Sequence, residues 1–187
     1  MPAAASAGIR LTGIVLAAGA GTRHGEPKAL ALDEHGTPWL GIAAELLLDA
    51  GCTEVIVVLG ARAEEALHLV PQGPYLRVVV AADWAEGMSA SLRTGLEAAT
   101  GDAALITLVD LPGLPLPVLR RVLDADAPLR QAVYAGRPGH PVYIDAGHWT
   151  AVAASLHGDR GARDYLAENG VLEIECSDLW DGEDIDG

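Results

Sequence analysis

Short runs of β-branched and other apolar residues alternate with segments of helical periodicity along the first two thirds of the chain. The apolar runs predict buried strands at residues 12–17, 54–59, 76–81 and 103–109. The segments between them carry apolar residues three or four positions apart, which predicts helices at about 38–50, 63–69 and 89–99. This alternation requires a sheet covered by helices on both faces. We therefore expect an α/β, Rossmann-like, three-layer α/β/α fold with a mostly parallel central sheet.

The pattern is less regular after Asp110. The remaining sequence predicts, in order, a helix at 118–125, strands at 131–134 and 141–144, a helix at 160–169, an extended segment at 172–175 and an acidic tail at 178–187. No repeat or linker interrupts it, so a single domain over residues 1–187 is expected. Ligands of such sheets bind at the carboxyl ends of the strands. The loops after these ends are therefore where function is expected.

The loop that follows the first predicted strand, Ala17 to Lys28, is rich in glycine and carries two cations, Arg23 and Lys28. Glycines allow the backbone to approach a ligand, so that successive N–H groups point at phosphate oxygens. The dinucleotide fingerprint does not fit, because His24 stands where its third glycine is required. A P-loop does not fit either, because no Ser or Thr follows Lys28. A phosphate-binding loop is favoured over an ordinary turn.

Composition limits what this loop binds. The 187 residues include 12 Lys+Arg against 26 Asp+Glu, a formal net charge of −14. This balance argues against binding nucleic acid or an anionic membrane surface, and no apolar run approaches the roughly 18 residues of a membrane span. Two cysteines are too few for a disulfide scaffold. We expect a cytoplasmic domain whose few cations, Arg23, Lys28 and Arg93, gather around a small anionic ligand.

The loop sequence L-A-A-G-x-G-x-R-x-G-x-P-K resembles the signature of the nucleotidyltransferases related to molybdenum cofactor cytidylyltransferase. The resemblance implies that the nucleotide is bound by Leu16, Ala17, Ala18, Gly19 and Gly21. It implies that Arg23 and Lys28 act catalytically on the triphosphate. The pair Ala17-Ala18 is similar to the cytidylyl branch, whereas the guanylyl branch usually has Ala-Gly-Gly, and this favours CTP.

The third predicted helix opens with G-M-S-A-S-L-R, which includes Ser89 and Ser91. Free N–H groups and hydroxyls at a helix start suit an anion or the polar edge of a base. A serine N-cap would explain one of them without a ligand. The family has a similar G-M-S-x-S-L stretch, which implies that both serines bind the nucleotide.

Two carboxylates are candidates for binding Mg²⁺. Asp110 ends a buried strand, where a carboxylate is costly without a partner; capping a helix is the alternative. The resemblance implies that Asp110 is a catalytic metal ligand. The ending W-D-G-E-D-I-D resembles the family's D-x-D-T-P-E-D, which implies Asp184 as second ligand and Asp186 as runner-up. The sequence ends at Gly187, where the family has Thr-Pro-Glu-Asp and a final helix, and an acidic tail that is merely solvated is the alternative.

The second half contains the stretch Gly139-His140-Pro141, which resembles a G-H-P motif in the part of the family that receives the second substrate. The resemblance implies that these three residues bind the acceptor, with His140 donating a hydrogen bond. A turn into a strand is the alternative. A further stretch, G-D-R-G-A-R, contributes Arg160 and Arg163, which either meet an anionic substrate or cap and solvate a helix.

Together these motifs imply transfer of a nucleoside monophosphate, CMP from CTP, to the phosphate of a small acceptor such as the molybdopterin cofactor, with release of pyrophosphate. Residues 10–112 would bind the nucleotide and residues 113–187 the acceptor. The resemblance also implies a molybdoenzyme or chaperone partner. Two alternatives remain: an NAD(P)H-dependent reductase, because some relatives are nicotine blue oxidoreductases, and a non-catalytic nucleotide-binding protein.

Overall fold

Seven strands form one central sheet in the computed structural model, which describes residues 8–21 and 25–185. The strands are β1 (Leu11–Ala17), β2 (Glu54–Leu59), β3 (Leu76–Val80), β4 (Ala103–Leu108), β5 (Leu129–Tyr134), β6 (Arg137–Asp145) and β7 (Leu172–Glu175). The helices are α1 (Trp39–Asp49), α2 (Ala63–Leu67), α3 (Met88–Ala98), α4 (Leu116–Asp124), α5 (Ala146–Ser155) and α6 (Arg163–Glu168). The strand order across the sheet is β3-β2-β1-β4-β6-β5-β7.

The strands β3, β2, β1 and β4 run parallel, and helices cover both faces. All seven residues of β1 are buried. Gly95 lets α3 lie close over this strand, because a Cβ there would be 2.9 Å from the side chain of Ile14. The carboxyl ends of β1 and β4 and the start of α3 therefore meet at one edge of the sheet. The predicted fold class is confirmed.

The second half of the chain joins the sheet through β6, which pairs antiparallel with both β4 and β5. Because β6 runs antiparallel to β4, its first residues lie beside the carboxyl end of β4. The helix α5 was not predicted, since only Val152 is fully buried along its length. The side chain of Asp145 starts this helix by accepting a hydrogen bond from the N–H of Gly147 at 2.9 Å.

The start of α1 also differs from the prediction by one position. Pro38 occupies the N-cap, and the helix begins at Trp39. Thr37 lies in the preceding turn, where its N–H donates to the Asp33 carboxylate at 2.8 Å. Nowhere between residues 8 and 185, leaving aside 22–24, is there a helix long and apolar enough to cross a membrane.

Candidate active site

A cavity of about 570 Å³ opens at the carboxyl ends of β1 and β4. Most of the predicted nucleotide and metal residues line it: Leu16, Ala17, Ala18, Gly19, Gly21, Lys28, Ser91, Asp110 and Asp184. The sequence analysis missed Trp84 and Asp159, which also line it. Their signals were weak, because Trp84 begins a three-residue 3₁₀ helix and Asp159 lies in a turn.

The glycine loop presents its backbone to this cavity. The N–H groups of Gly19, Ala20 and Gly21 make no hydrogen bond within the part of the chain that the structure describes. Gly21 has φ +61°, and a Cβ there would lie 1.8 Å from the carbonyl oxygen of Glu26, so only glycine fits. Successive unpaired N–H groups suit phosphate oxygens. Arg23 lies outside the described residues, and its role stays a prediction.

Lys28 and Asp110 form an ion pair in the cavity wall. The ammonium donates to Oδ2 of Asp110 at 3.0 Å, and the two side chains are only 16% and 18% exposed. Oδ1 of Asp110 is buried without a hydrogen-bond partner among the described residues. Asp110 is not a helix cap, because α4 begins later, at Leu116, after Pro115. A buried unpaired carboxylate oxygen is costly unless a ligand satisfies it.

The C-terminal segment brings Asp184 to the same cavity. The N–H of Ile185 donates to the backbone carbonyl of Asp110 at 3.1 Å, which joins the segment to the end of β4. Gly182 lies against the ring of Tyr134, where a Cβ would be 2.4 Å from ring carbons. Trp180 contacts Tyr134 edge to face, with 5.4 Å between ring centroids. The segment is thus packed on the domain up to Asp184, and Asp186 lies outside the described residues.

Two further contacts hold the beginning of this segment. Arg121 on α4 donates to both carboxylate oxygens of Asp178, at 2.5 and 2.8 Å. The carboxylate of Glu175 accepts hydrogen bonds from the hydroxyl and N–H of Ser177 and from the N–H groups of Ala135 and Gly136. These donors, Ser177 foremost, lower the pKa of Glu175 to about 2.

The residues present fit a divalent cation that arrives with phosphate. Asp110 offers a buried oxygen without a partner in the described part of the chain, and Asp184 is a second carboxylate at the same cavity. Among residues 8–21 and 25–185, no group of three or more His, Cys, Asp and Glu side chains could hold a metal alone. Mg²⁺ commonly binds one or two carboxylates and completes its shell with substrate phosphates and water. The described residues therefore fit a metal that is shared with substrate phosphates rather than one that they hold alone.

The two serines at the start of α3 have different surroundings. Ser91 lines the cavity, whereas Ser89 is buried and its hydroxyl has no partner among the described residues. A serine N-cap is wrong, because Gly87 occupies the N-cap and no side chain caps the helix. The N–H of Ser89 donates to the carbonyl of Gly158 at 3.0 Å. Ser91 therefore lines the cavity and Ser89 does not, and the nucleotide-binding role of both serines stays a prediction.

A second cavity, of about 370 Å³, adjoins the first and shares Leu16 and Met88 with it. Gly139 and His140 line this second cavity, whereas Pro141 is buried and does not line it. Gly139 is required by packing, since a Cβ would be 2.7 Å from the ring of Tyr134. The cavity also contains Gln131 and Arg137, neither of which was predicted from the sequence.

The ring of His140 donates from Nδ1 to the carbonyl of Ile106 at 3.3 Å. Burial lowers the pKa of His140, against the opposing effects of that carbonyl and of the charge on Asp110. A neutral ring with its proton on Nδ1 presents an acceptor at Nε2. The expected donor role of His140 is therefore not what the ring offers to the cavity.

The expectation that Arg93 joins the phosphate site is wrong. Its guanidinium donates to the backbone carbonyls of Ala153 and Leu156, at 3.4 and 2.8 Å. These bonds hold the end of α5 against α3, which is a structural role.

Comparison with known proteins places the chain in a family. A family model described as a MobA-like NTP transferase domain matches residues 13–173. The nicotine blue oxidoreductase of Paenarthrobacter nicotinovorans is 43% identical over 189 residues, which cover 94% of this chain and 92% of that protein. The molybdenum cofactor cytidylyltransferase of Escherichia coli (strain K12) is 26% identical over 133 residues, or 70% of this chain and 68% of that protein.

A solved structure has a similar fold. Rv0371c from Mycobacterium tuberculosis H37Rv matches with a TM-score of 0.76 at 28% identity, over 90% of this chain and 88% of that chain. The same protein has been crystallised in complex with manganese. The chain belongs to the family of MobA-like NTP transferase domains, and nucleotidyltransferase is its enzyme class. Members of this family use divalent metals.

Proposed function

We propose that the protein transfers a nucleoside monophosphate, CMP from CTP, to the phosphate of a small acceptor such as the molybdopterin cofactor. The observation that carries the proposal is the Lys28–Asp110 pair at the first cavity. Among the described residues, one oxygen of this carboxylate and the N–H groups of Gly19, Ala20 and Gly21 at the same cavity have no hydrogen-bond partner. The adjoining second cavity offers a place for the acceptor. The two cavities meet at Leu16 and Met88, so two substrates bound in them would be neighbours.

In this proposal the residues act by position and charge. The N–H groups of Gly19, Ala20 and Gly21 hold phosphate oxygens, and Lys28 offsets negative charge as pyrophosphate departs. An oxygen of the acceptor phosphate forms a bond to the α-phosphorus while the bond from that phosphorus to pyrophosphate breaks. The acceptor phosphate is already ionised at neutral pH, so no general base is required. Phosphoryl chemistry of this kind depends mainly on positioning and charge neutralisation.

A bound Mg²⁺ would supply Lewis-acid polarisation of phosphate oxygens, a contribution of several kcal/mol in such enzymes. Asp110 and Asp184 are the residues that would hold it, as ligands through their carboxylate oxygens. Lys28 keeps Oδ2 of Asp110 occupied, so its Oδ1 is the oxygen left for the cation.

The second candidate is an NAD(P)H-dependent reductase, favoured by the 43% identity to a nicotine blue oxidoreductase. The end of β2 argues against it. A dinucleotide site of the usual kind has an acidic residue there to bind the ribose. This chain has Gly60, where even a Cβ would lie 2.6 Å from the Ala18 carbonyl and from Trp84.

One assay separates the two candidates. Pyrophosphate release would be measured with CTP, GTP and ATP, with Mg²⁺ or Mn²⁺, and with molybdopterin as acceptor. In parallel, NADPH absorbance would be followed with a quinone-like pyridine pigment. We expect pyrophosphate release with CTP and no loss of NADPH absorbance, and NADPH oxidation without pyrophosphate release would refute the proposal.

A matched pair of variants connects the assay to the site. Asp110→Asn should abolish pyrophosphate release, because it removes the charged oxygen that would hold the cation. Asp126→Asn is the control, since this aspartate lies in the loop between α4 and β5 and lines neither cavity. It should release pyrophosphate at the wild-type rate.

A further inference from the structure

Asp159 is a carboxylate at the first cavity to which the proposed transfer reaction gives no role. It is exposed, lies in the turn that precedes α6, and lines the cavity together with Gly87. A Cβ on Gly87 would clash with Oδ1 of Asp159, so this oxygen lies against the start of α3. Asp159 forms no hydrogen bond or ion pair with any residue that the structure describes. Its carboxylate is therefore available to a ligand.

This carboxylate is not a third member of the proposed metal site. Asp110, Asp159 and Asp184 all line the first cavity. Even so, no three His, Cys, Asp or Glu side chains within residues 8–21 and 25–185 are grouped so that they could hold one metal ion. Asp159 thus stands apart from the pair formed by Asp110 and Asp184.

The packing around each group shows where this separation comes from. The chain neighbours of Lys28 and Asp110 belong to the core on one face of the sheet: Ala29, Val109 and Leu111. The helix α3 and the residues that follow Asp159 belong to the core on the other face: Leu92, Leu96, Ala162 and Leu166. Asp159 therefore reaches the cavity from the side of the sheet opposite to the Lys28–Asp110 pair.

The charges of the cavity determine what each side can bind. Lys28 is the only cation among the described residues that line it, so phosphates are favoured on the Lys28 side. An ionised carboxylate only accepts hydrogen bonds and repels phosphate oxygens. The partner of Asp159 must therefore be a neutral donor. The lining residues at the start of α3 are uncharged and suit the nucleoside part of a nucleotide: Trp84, Ala85, Gly87 and Met88.

We propose that Asp159 accepts a hydrogen bond from a neutral donor of the nucleoside, either a ribose hydroxyl or the exocyclic amine of the base, and thereby helps to select the nucleotide. The inference rests on the proposed function in one respect, that a nucleotide occupies the first cavity. It adds a direction to the bound nucleotide, with its phosphates towards Lys28 and its nucleoside towards the start of α3.

The test is a calorimetric titration of the protein with CTP, UTP and 2′,3′-dideoxy-CTP in the presence of Mg²⁺ and without an acceptor. UTP lacks the exocyclic amine, and the dideoxy nucleotide lacks both ribose hydroxyls. Asp159→Ala should weaken CTP binding about tenfold, the equivalent of one hydrogen bond to a charged group. Asp159→Asn keeps an acceptor oxygen and should lose less affinity than Asp159→Ala.

The three nucleotides identify the donor. If it is the exocyclic amine, Asp159→Ala brings the affinities for CTP and UTP together and weakens CTP and the dideoxy nucleotide alike. If it is a ribose hydroxyl, the same variant brings the affinities for CTP and 2′,3′-dideoxy-CTP together. Glu86→Gln is the control, because this exposed carboxylate precedes Gly87 in the chain but lines neither cavity. It should leave all three affinities unchanged.

A carboxylate beside a helix start can also act by stabilising the helix alone. In that case Asp159→Ala would lower the melting temperature of the free protein and weaken all three nucleotides by the same factor. That result would overturn the inference, as would unchanged affinities or tighter binding of CTP after the negative charge is removed. Pyrophosphate release is measured separately. Selective nucleotide binding without pyrophosphate release would refute only the proposed function, whereas wild-type release with an unselective loss would refute only the role of Asp159.

Discussion

Replacing Lys28 by methionine keeps the aliphatic stem and removes the ammonium from the cavity. The ammonium lies 3.0 Å from Asp110, and both side chains are more than four-fifths buried. Losing one preorganised electrostatic contact in an active site commonly costs about 10²–10³ in turnover. We expect a loss of that size in pyrophosphate release for Lys28→Met.

The same substitution should also lower stability, because it leaves the Asp110 carboxylate buried and unpaired. Breaking a fully buried pair costs about 3–5 kcal/mol, and an exposed pair is worth about 0–1 kcal/mol. The residual exposure of this pair places it between these limits, at about 2 kcal/mol. For a domain of this size, that corresponds to a fall in melting temperature of about 4–8 °C.

A double variant separates the two effects. In Lys28→Met with Asp110→Asn no uncompensated charge remains, so most of the lost melting temperature should return while turnover stays absent. Turnover by Lys28→Met at the wild-type rate would refute the catalytic role of the ammonium. Recovery of turnover in the double variant would show that the single variant had failed only through instability.

Three further substitutions test the loop and the C-terminal segment. Asp184→Asn should raise the Mg²⁺ concentration that gives half-maximal activity about tenfold, as expected for the loss of a charged metal ligand worth about 1.4 kcal/mol. Glu183→Gln should leave this concentration unchanged, since Glu183 lines neither cavity. Gly21→Ala should abolish nucleotide-dependent thermal stabilisation, because its Cβ would lie 1.8 Å from the carbonyl oxygen of Glu26. Gly36 also has a positive φ, but a Cβ there would meet no atom within 4 Å, so Gly36→Ala should retain the stabilisation. The pKa of Glu175 is lowered from 4.5 to about 2, so the charged carboxylate stabilises the folded protein above about pH 4.5, and this contribution is lost as the pH falls toward 2. Glu175→Gln should therefore have a lower melting temperature than wild type at neutral pH. A difference in melting temperature that persists unchanged at pH 2 would contradict this assignment.

The sheet and the glycine loop could be predicted from local sequence. The strand β1 is a continuous apolar run with every residue buried, and the loop directly follows it, so neighbouring residues determine both. Asp110 could be placed for the same reason, because it comes just after a strand whose neighbour in the sheet was predictable. What the sequence did not contain was the pairing of Asp110 with Lys28, which depends on how a distant loop folds back.

The remaining features depend on contacts between distant segments. The acceptor character of His140 is determined by a carbonyl of β4 that lies 34 residues earlier, so no local motif indicates it. The placement of Asp184 depends on Gly182 fitting against Tyr134 and on one backbone bond to Asp110. The helix α5 was missed because it buries too little apolar surface to produce a clear period.

Lys28 is the only lysine in the chain. Its side chain is only 16% exposed, is paired with Asp110 and lines the first cavity, so an acylating reagent meets its amine mainly through that cavity. Apart from the N-terminal amine, amine-selective labelling therefore marks a single position of the protein. The amount of label at that position, read by mass spectrometry, becomes a direct measure of how much of the cavity is occupied by any ligand added beforehand.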